Sequence, residues 1–345
     1  MNVIQRYLSA KNLDCIKQMC SRSFLPFWMT FIFLCLPTQL EAQESFRVMF
    51  WNVENLFDVK DDSLKNDNEF LPDAVRHWTF LRYRDKLTKV SKTIIAAGKE
   101  YVPDLVGLCE VENDSCLYDL IHRSPLHEAD YRYVMTDSPD QRGIDVALLY
   151  QRSTFRLLHY QSIRVPSDGL KYHPTRDILH VVGKLQSGDT LDVMVCHLPS
   201  RSGGQAQSEP HRMLVAEIIR QTADSLVQVR QHPYLVIMGD FNDYPTDRST
   251  NLLLHGKGRI RNLMKGMQGG TYRYWGEWGF FDQFFVSAEV PVEDVQILRF
   301  PFLLEEDEKH GGDKPFRTYN GMKYNGGYSD HLPIVMDISV MNKYY

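Results

Sequence analysis

Apolar and polar positions change period along the chain, and those changes mark the elements. Residues 46–51 form a short apolar run that reads as a strand, followed by a polar stretch rich in Asp and Asn. Thr79 can cap a helix in which Phe80, Tyr83, Leu87, Val90 and Ile94 recur at three- and four-residue spacing, and Gly98 stops it. Residues 105–111, behind Pro103-Asp104, read as a buried strand by composition. Further strands are expected at 131–135, 145–150, 155–165, 178–185 and 191–196. A second long helix fits 210–229, with Met213, Ala216, Ile219, Ala223 and Leu226 on one face. Strands at 234–238, 281–286, 295–300 and 332–338 complete the pattern.

Helices are few, strands are many, and several strands follow one another with no helix between them. That order predicts an α/β fold of two mixed sheets packed together with helices outside, rather than a singly wound parallel sheet. No internal repeat or linker interrupts residues 44–345, which read as one domain. The polar, Gly-rich segment 301–328 is long enough to be a functional loop.

The N-terminus changes the picture of where the chain works. Lys17 and Arg22 precede an apolar run over 24–36, too short to span a bilayer, and the polar exit Leu40-Glu41-Ala42 follows. Residues 1–43 therefore read as an export signal, which predicts a periplasmic or extracellular protein with no membrane span in the mature chain. Net charge is −5, and removing the leader leaves 35 basic against 42 acidic residues, or −7. No global basic field holds a polyanion, so a nucleic-acid or phospholipid substrate needs local cations. Cys109, Cys116 and Cys196 remain, an odd number without metal-type spacing, and read as small core residues. No stable protein partner is implied.

The informative feature is the set of polar residues that close apolar strands. Asn52 follows the first run, Glu110 closes 105–109, and His197 closes 191–196. Asp240 and Asn242 follow 234–239, Asp282 opens 283–286, and Asp330-His331 precede 332–338. Strand ends in α/β folds gather at one rim. Carboxylates and an amide oxygen suit Mg²⁺, with Mn²⁺ or Ca²⁺ as alternatives. Phosphoryl chemistry needs neutralised non-bridging oxygens, an aimed water and a proton for the leaving oxygen, which a His held by a carboxylate can supply.

Four motifs carry a resemblance: Trp51-Asn52-Val53-Glu54-Asn55-Leu56, Pro103-Asp104-Leu105-Val106-Gly107-Leu108-Cys109-Glu110, Gly239-Asp240-Phe241-Asn242 and Ser329-Asp330-His331. Over about residues 46–340 they resemble the endonuclease/exonuclease/phosphatase family, in a deoxyribonuclease I-like, secreted bacterial form. The resemblance implies a four-layer α/β sandwich. It implies metal-site roles for Asn52, Glu110 and Asp330, with Glu110 the firmest ligand. It gives Asp240 and Asn242 the attacking water and phosphate, and Asp282 the orientation of His331. His197 matches the deoxyribonuclease and sphingomyelinase branches, and abasic-site endonucleases carry Asn there. Arg176 resembles a phosphate-contacting Arg, Asp145 is a candidate support for His197, and Glu54 stands between supporting the metal and being a surface charge. Lys314, Arg317 and Tyr319 read as a solvated loop, and His173, His211 and His310 as ordinary histidines.

The expected function is a secreted Mg²⁺-dependent phosphodiesterase, a nuclease acting on DNA or RNA. The alternatives are a phosphatase or a lipid phosphodiesterase acting on sphingomyelin or inositol phosphates. A binding module that kept the fold and lost catalysis comes last, because every expected catalytic residue type is present.

Overall fold

Side chains alternate across β1 (Gln43–Leu56): Val48 and Phe50 pack into one apolar cluster, Met49 and Trp51 into another. A strand buried on both faces needs a layer on each side, and the molecule supplies them. The computed structural model describes residues 43–168 and 173–341, which fall within one compact unit. Apart from Gln43, the expected leader lies outside the described residues.

The first sheet runs in the order β13 (Val292–Ile297), β18 (Ile334–Met341), β1, β2 (Leu105–Val111), β4 (Asp145–Tyr150), β3 (Arg132–Met135). The second runs β5 (Phe155–Ile163), β6 (Ile178–Leu185), β7 (Thr190–His197), β8 (Tyr234–Asp240), β12 (Asp282–Val286), β9 (Arg261–Asn262). Each has one parallel pair, β1 with β2 and β7 with β8, and every other pairing is antiparallel. Val48, Phe50, Leu105 and Leu148 meet Val181, Val193, Val236 and Phe284 between the sheets. On the outer face of the first sheet, Met49, Val106 and Leu108 share a core with Leu87, Val90 and Ile94 of α1 (Phe80–Ala97) and Leu117 of α2 (Asp114–His122). On the second, Met194, Ile237 and Phe285 share one with Val215 and Ile219 of α3 (Gln205–Val229) and Leu253 of α4 (Arg248–Leu254). This is the expected four-layer sandwich. Each fully buried aliphatic or aromatic side chain is worth about 1.5–3 kcal/mol, so the three cores carry the fold.

Local signals account for most boundaries. Thr79 Oγ1 accepts the Arg82 N–H at the start of α1, and the helix ends before Gly98. The second long helix begins at Gln205, not Pro210, which lies inside it. Gly204, at φ 106°, turns the chain into the helix earlier than the proline suggested. The short helices α2 and α4 have no counterpart in the sequence reading, since nine and seven residues carry too few repeats of a helical period. The long loop is built up from β14 (Leu304–Glu306) with β15 (Asp313–Pro315), and β16 (Tyr319–Asn320) with β17 (Lys323–Tyr324). A further hairpin, β10 (Tyr272–Tyr274) with β11 (Glu277–Gly279), precedes β12. Cys109, Cys116 and Cys196 are free and buried, as expected of core residues.

Candidate active site

The two parallel pairs end at the same rim, and register sets their last residues side by side. In the second sheet His197 lies opposite Asp240, and Asp240 opposite Asp282. Gly239 makes that approach feasible, because a Cβ there would sit 2.3 Å from the Cys196 carbonyl oxygen. In the first sheet both strands bulge at the rim. Register shifts after Asn52 in β1 and after Cys109 in β2. Glu54, Asn55 and Glu110 take φ values of 49°, 56° and 62°, left-handed conformations that side-chain-bearing residues enter at a cost. The bulge at Glu110 breaks the strand's alternation and leaves a partly exposed carboxylate in an otherwise buried strand.

One oxygen gathers the centre. Asp240 Oδ2 lies 3.0 Å from Asn52 Nδ2, 3.6 Å from His197 Nε2 and 3.7 Å from His331 Nε2. The other oxygen, Oδ1, accepts the Asn242 N–H at 2.9 Å. Burial, opposed by His331 and assisted by Asp282, raises the Asp240 carboxyl to about 7. His331 Nδ1 sits 2.7 Å from Asp282 Oδ2, with both residues buried. Burial alone would lower the imidazole's pKa, yet Asp282 and Asp240 lift it well above its ordinary value, which favours the imidazolium form of His331. His197 goes the other way: burial, then Arg176 and Arg142, hold it well below the ordinary value. Its Nδ1 has no partner among the described residues. Two histidines beside one carboxylate are thus shifted in opposite directions, His331 toward the imidazolium and His197 toward the neutral ring.

The second group is acidic. Glu110 Oε2 accepts the Asn55 N–H at 3.0 Å, and Oε1 lies 3.4 Å from Asn52 Nδ2. Asp330 Oδ2 accepts from Arg317 Nη2 at 2.8 Å. Glu54 is buried and takes the Thr318 and Tyr319 N–H groups at 2.6 and 3.3 Å. Burial first, then the Asp330 charge, lifts its carboxyl to about 7. Lys86, from α1, donates to Thr318 Oγ1 and the Tyr328 carbonyl, and burial lowers its amine to about 8.

Several expected residues are placed differently from their sequence reading. Asn52 Oδ1 accepts the Glu54 N–H at 2.9 Å, because the bulge brings that amide onto it, so its Nδ2 faces Glu110 and Asp240. It bridges two carboxylates with its donor side. Arg176 donates to the carbonyls of His197 and Leu198 at 3.2 and 2.8 Å and pairs with Asp140, which makes it a brace for the end of β7. Asp145 accepts from Thr136 Oγ1, Ser138 Oγ and the Ser138 N–H, and makes no hydrogen bond to His197. Arg317, read as a loop charge, stands at the acidic group and lies 3.7 Å from Glu54. Tyr319 of the same loop is a core residue. Lys86 was missed as a polar helix position. No signal in the sequence distinguishes it from the exposed lysines of α1.

Beside His331 an aromatic row begins. Its ring lies 4.8 Å from that of Tyr272, which stacks on Phe281, which stacks on Tyr244. Arg201 lies over the last two rings and anchors to Asp243 and Asp247. Two residues beyond Tyr272, the hairpin tip carries Tyr274 and Trp275, 61% and 67% exposed. Among the described residues no helix is long and apolar enough to cross a membrane.

Residues 47–340 match a family model described as the Endonuclease/Exonuclease/phosphatase family. A Bacteroides thetaiotaomicron protein of that family has a similar structure, with a TM-score of 0.59 at 16% identity over 86% of this chain and 98% of the other. A mannosyl-6-phosphatase from the same organism gives 0.57 at 16% identity over 85% and 99%. The human Nocturnin catalytic domain with bound sulfate gives 0.55 at 19% identity over 86% and 97%. No curated protein sequence matches the chain.

Proposed function

Because the chain belongs to the endonuclease/exonuclease/phosphatase family and has its phosphoesterase fold, we propose that it hydrolyses nucleic-acid phosphodiester bonds with a divalent cation, Mg²⁺, at Glu110 and Asp330. The observation that carries this reading is the buried Asp282–His331 pair set against Asp240. The acidic group fits such an ion: its donors are carboxylate oxygens, and Glu110 is turned into the cleft by a left-handed residue inside a strand. When bound, the cation neutralises phosphate charge and favours hydroxide over water.

The chain's own groups supply the rest. Asp240, with a pKa of about 7, accepts a proton near neutral pH and holds the attacking water through Oδ2, while the Asn242 N–H fixes Oδ1. Cationic His331 donates from Nε2 to a phosphoryl oxygen and compensates charge building at phosphorus. Neutral His197 contributes a hydrogen bond from Nε2 rather than a full proton. Lys86 and Arg317 oppose the rise that burial and Asp330 impose on the Glu54 carboxyl.

The exposed Tyr274 and Trp275 support a nucleic-acid strand as substrate, since base stacking on such rings is worth about 1–3 kcal/mol per base. Export is proposed from the order of charge, apolar run and polar exit in residues 1–43. A second reading, a phosphomonoesterase, is favoured by the acidic net charge and by the likeness to a mannosyl-6-phosphatase. Side-by-side hydrolysis of plasmid DNA, RNA, bis-p-nitrophenyl phosphate, sphingomyelin and mannose 6-phosphate with Mg²⁺ decides. Cleavage of DNA or RNA supports the proposal; turnover confined to mannose 6-phosphate replaces it with the second reading.

A further inference from the structure

A cavity of about 510 Å³ lies between the segment that leads into β6, the segment after His197 and the start of α3. Thr175 and Arg176 line it from the first, Pro199 and Ser200 from the second, and Ser208 and His211 from the third. None of the described lining residues is acidic, in a chain whose net charge is −5. The carbonyls of the wall are already engaged. Arg176 donates to those of His197 and Leu198, and buried Arg212 reaches those of Pro199 and Ser200 at 3.5 Å and the Ser208 hydroxyl at 2.8 Å. Two guanidiniums thus occupy four successive acceptors, and what the wall has left to offer a ligand is mainly donors.

One of these donors is unused. Thr175 is 3% exposed, and its Oγ1 is buried with no partner among the described residues. A buried hydroxyl without a partner carries a cost that a ligand removes. The second observation is α3 itself. Its first N–H groups have no partner inside the helix, Gly204 at its N-cap supplies no side-chain bond, and a Cβ built there would meet nothing within 4 Å. The start of a 25-residue helix carries positive partial charge and favours an anion. Burial first, then Arg176 and His173, hold the His211 imidazole below its ordinary pKa, as positive charge gathered around it does. We propose that this cavity is a phosphate subsite, which takes the phosphate next to the scissile one on a nucleic-acid strand, with the Thr175 hydroxyl and the start of α3 as donors. The assignment to a strand rests on the nuclease reading; the anion site itself does not. Its position supports that source: Pro199 and Ser200 directly follow His197 and Leu198, and His197 Nε2 stands 3.6 Å from Asp240.

Inorganic phosphate titrated into the full chain, with the His211 imidazole followed by NMR, tests the site. A saturable shift is expected, with the His211 pKa rising because a bound anion favours the imidazolium. Thr175→Val keeps the shape and removes a hydroxyl that holds nothing in place, so it should fold and weaken that binding roughly tenfold. The shift should persist in His331→Ala, which removes the histidine that faces the scissile phosphate. No shift in the wild type, equal affinity in folded Thr175→Val, or loss of the shift in His331→Ala overturns the site. Kinetics read the source. Thr175→Val should raise KM roughly tenfold more on a thymidine dinucleotide phosphorylated at both ends than on the same dinucleotide without those phosphates. Equal effects on the two overturn the strand assignment. Turnover of neither removes the nuclease reading, and the strand with it, while phosphate binding still decides the anion site.

Discussion

Replacing Asp282 by Asn removes one charge and keeps the shape of its contact. The pair it disturbs is short, 2.7 Å from Oδ2 to His331 Nδ1, and both partners are buried, so solvent screens little of the interaction. A hydrogen bond between charged groups is worth about 1.5–3 kcal/mol, against roughly 1 for a neutral one. Losing the ionic part therefore costs the imidazolium about 1–2 kcal/mol, and each 1.4 kcal/mol is about tenfold in its population. Burial, which already opposes the charged form, then gains ground, and His331 becomes neutral at a lower pH than before. The sign follows from the raised pKa. In the wild type the cation, and the stability it brings, are whole below the unfolded value of about 6.5 and are lost only as pH climbs through the raised folded value. In Asp282→Asn that alkaline loss should move down the pH scale. The assay is the pH dependence of kcat/KM on the preferred phosphodiester, with circular dichroism to check the fold. Activity at neutral pH should fall at least tenfold and the alkaline limb should shift toward acid. An unshifted limb, in a folded variant, refutes the claim that Asp282 sets the charge of His331.

Three further outcomes follow from other contacts. Glu110→Gln should weaken Mg²⁺ binding at the cleft with the fold intact, and calorimetry with unchanged affinity would remove Glu110 from the metal set. His197→Ala should slow an aryl phosphodiester and a nucleic acid by similar factors, because a neutral imidazole grips and does not protonate; selective loss on the sugar leaving group would show that it acts as the acid. Arg176→Ala should lower Tm more than it raises KM: the carbonyls of His197 and Leu198 and the Asp140 carboxylate each lose a hydrogen bond, worth about 0.5–1.5 kcal/mol apiece and more at the charged Asp140, although Leu198 keeps Asn242 Nδ2 and Asp140 keeps the Arg142 N–H. A large KM effect with unchanged Tm would restore it as a phosphate contact.

Strand-ending residues were legible because each closes an apolar run whose partner strands stop at the same rim. Glu110, His197 and Asp240 close such runs and Asp282 opens one, so the sequence alone directs all four to the rim. What side chains do with their second atom was less legible. Asn52 keeps its position, but a bulge formed by Glu54 and Asn55 decides which edge of its amide faces the carboxylates, and neither residue type announces a left-handed φ. Arg176 and Asp145 are near the site, yet spend their hydrogen bonds on the carbonyls of His197 and Leu198 and on Thr136 and Ser138. Arg317 reaches Glu54 across 263 positions of sequence, a distance over which no local pattern operates. The loop that carries it looked solvated because hairpins of two or three residues leave too little periodicity to read.

The order of strands has a consequence in time. β1 is the first strand described, and its neighbours are β2 and β18, the last one. A growing chain exposes Asn52, Glu110, His197 and Asp240 while the strand that fills the gap between β13 and β1 has yet to be made. Asp330 and His331 arrive immediately ahead of that strand, so dyad and sheet are completed in one late step. Pairing of residues so far apart is slow. The Asp282–His331 pair therefore stands complete only in a chain whose β18 has been paired between β13 and β1.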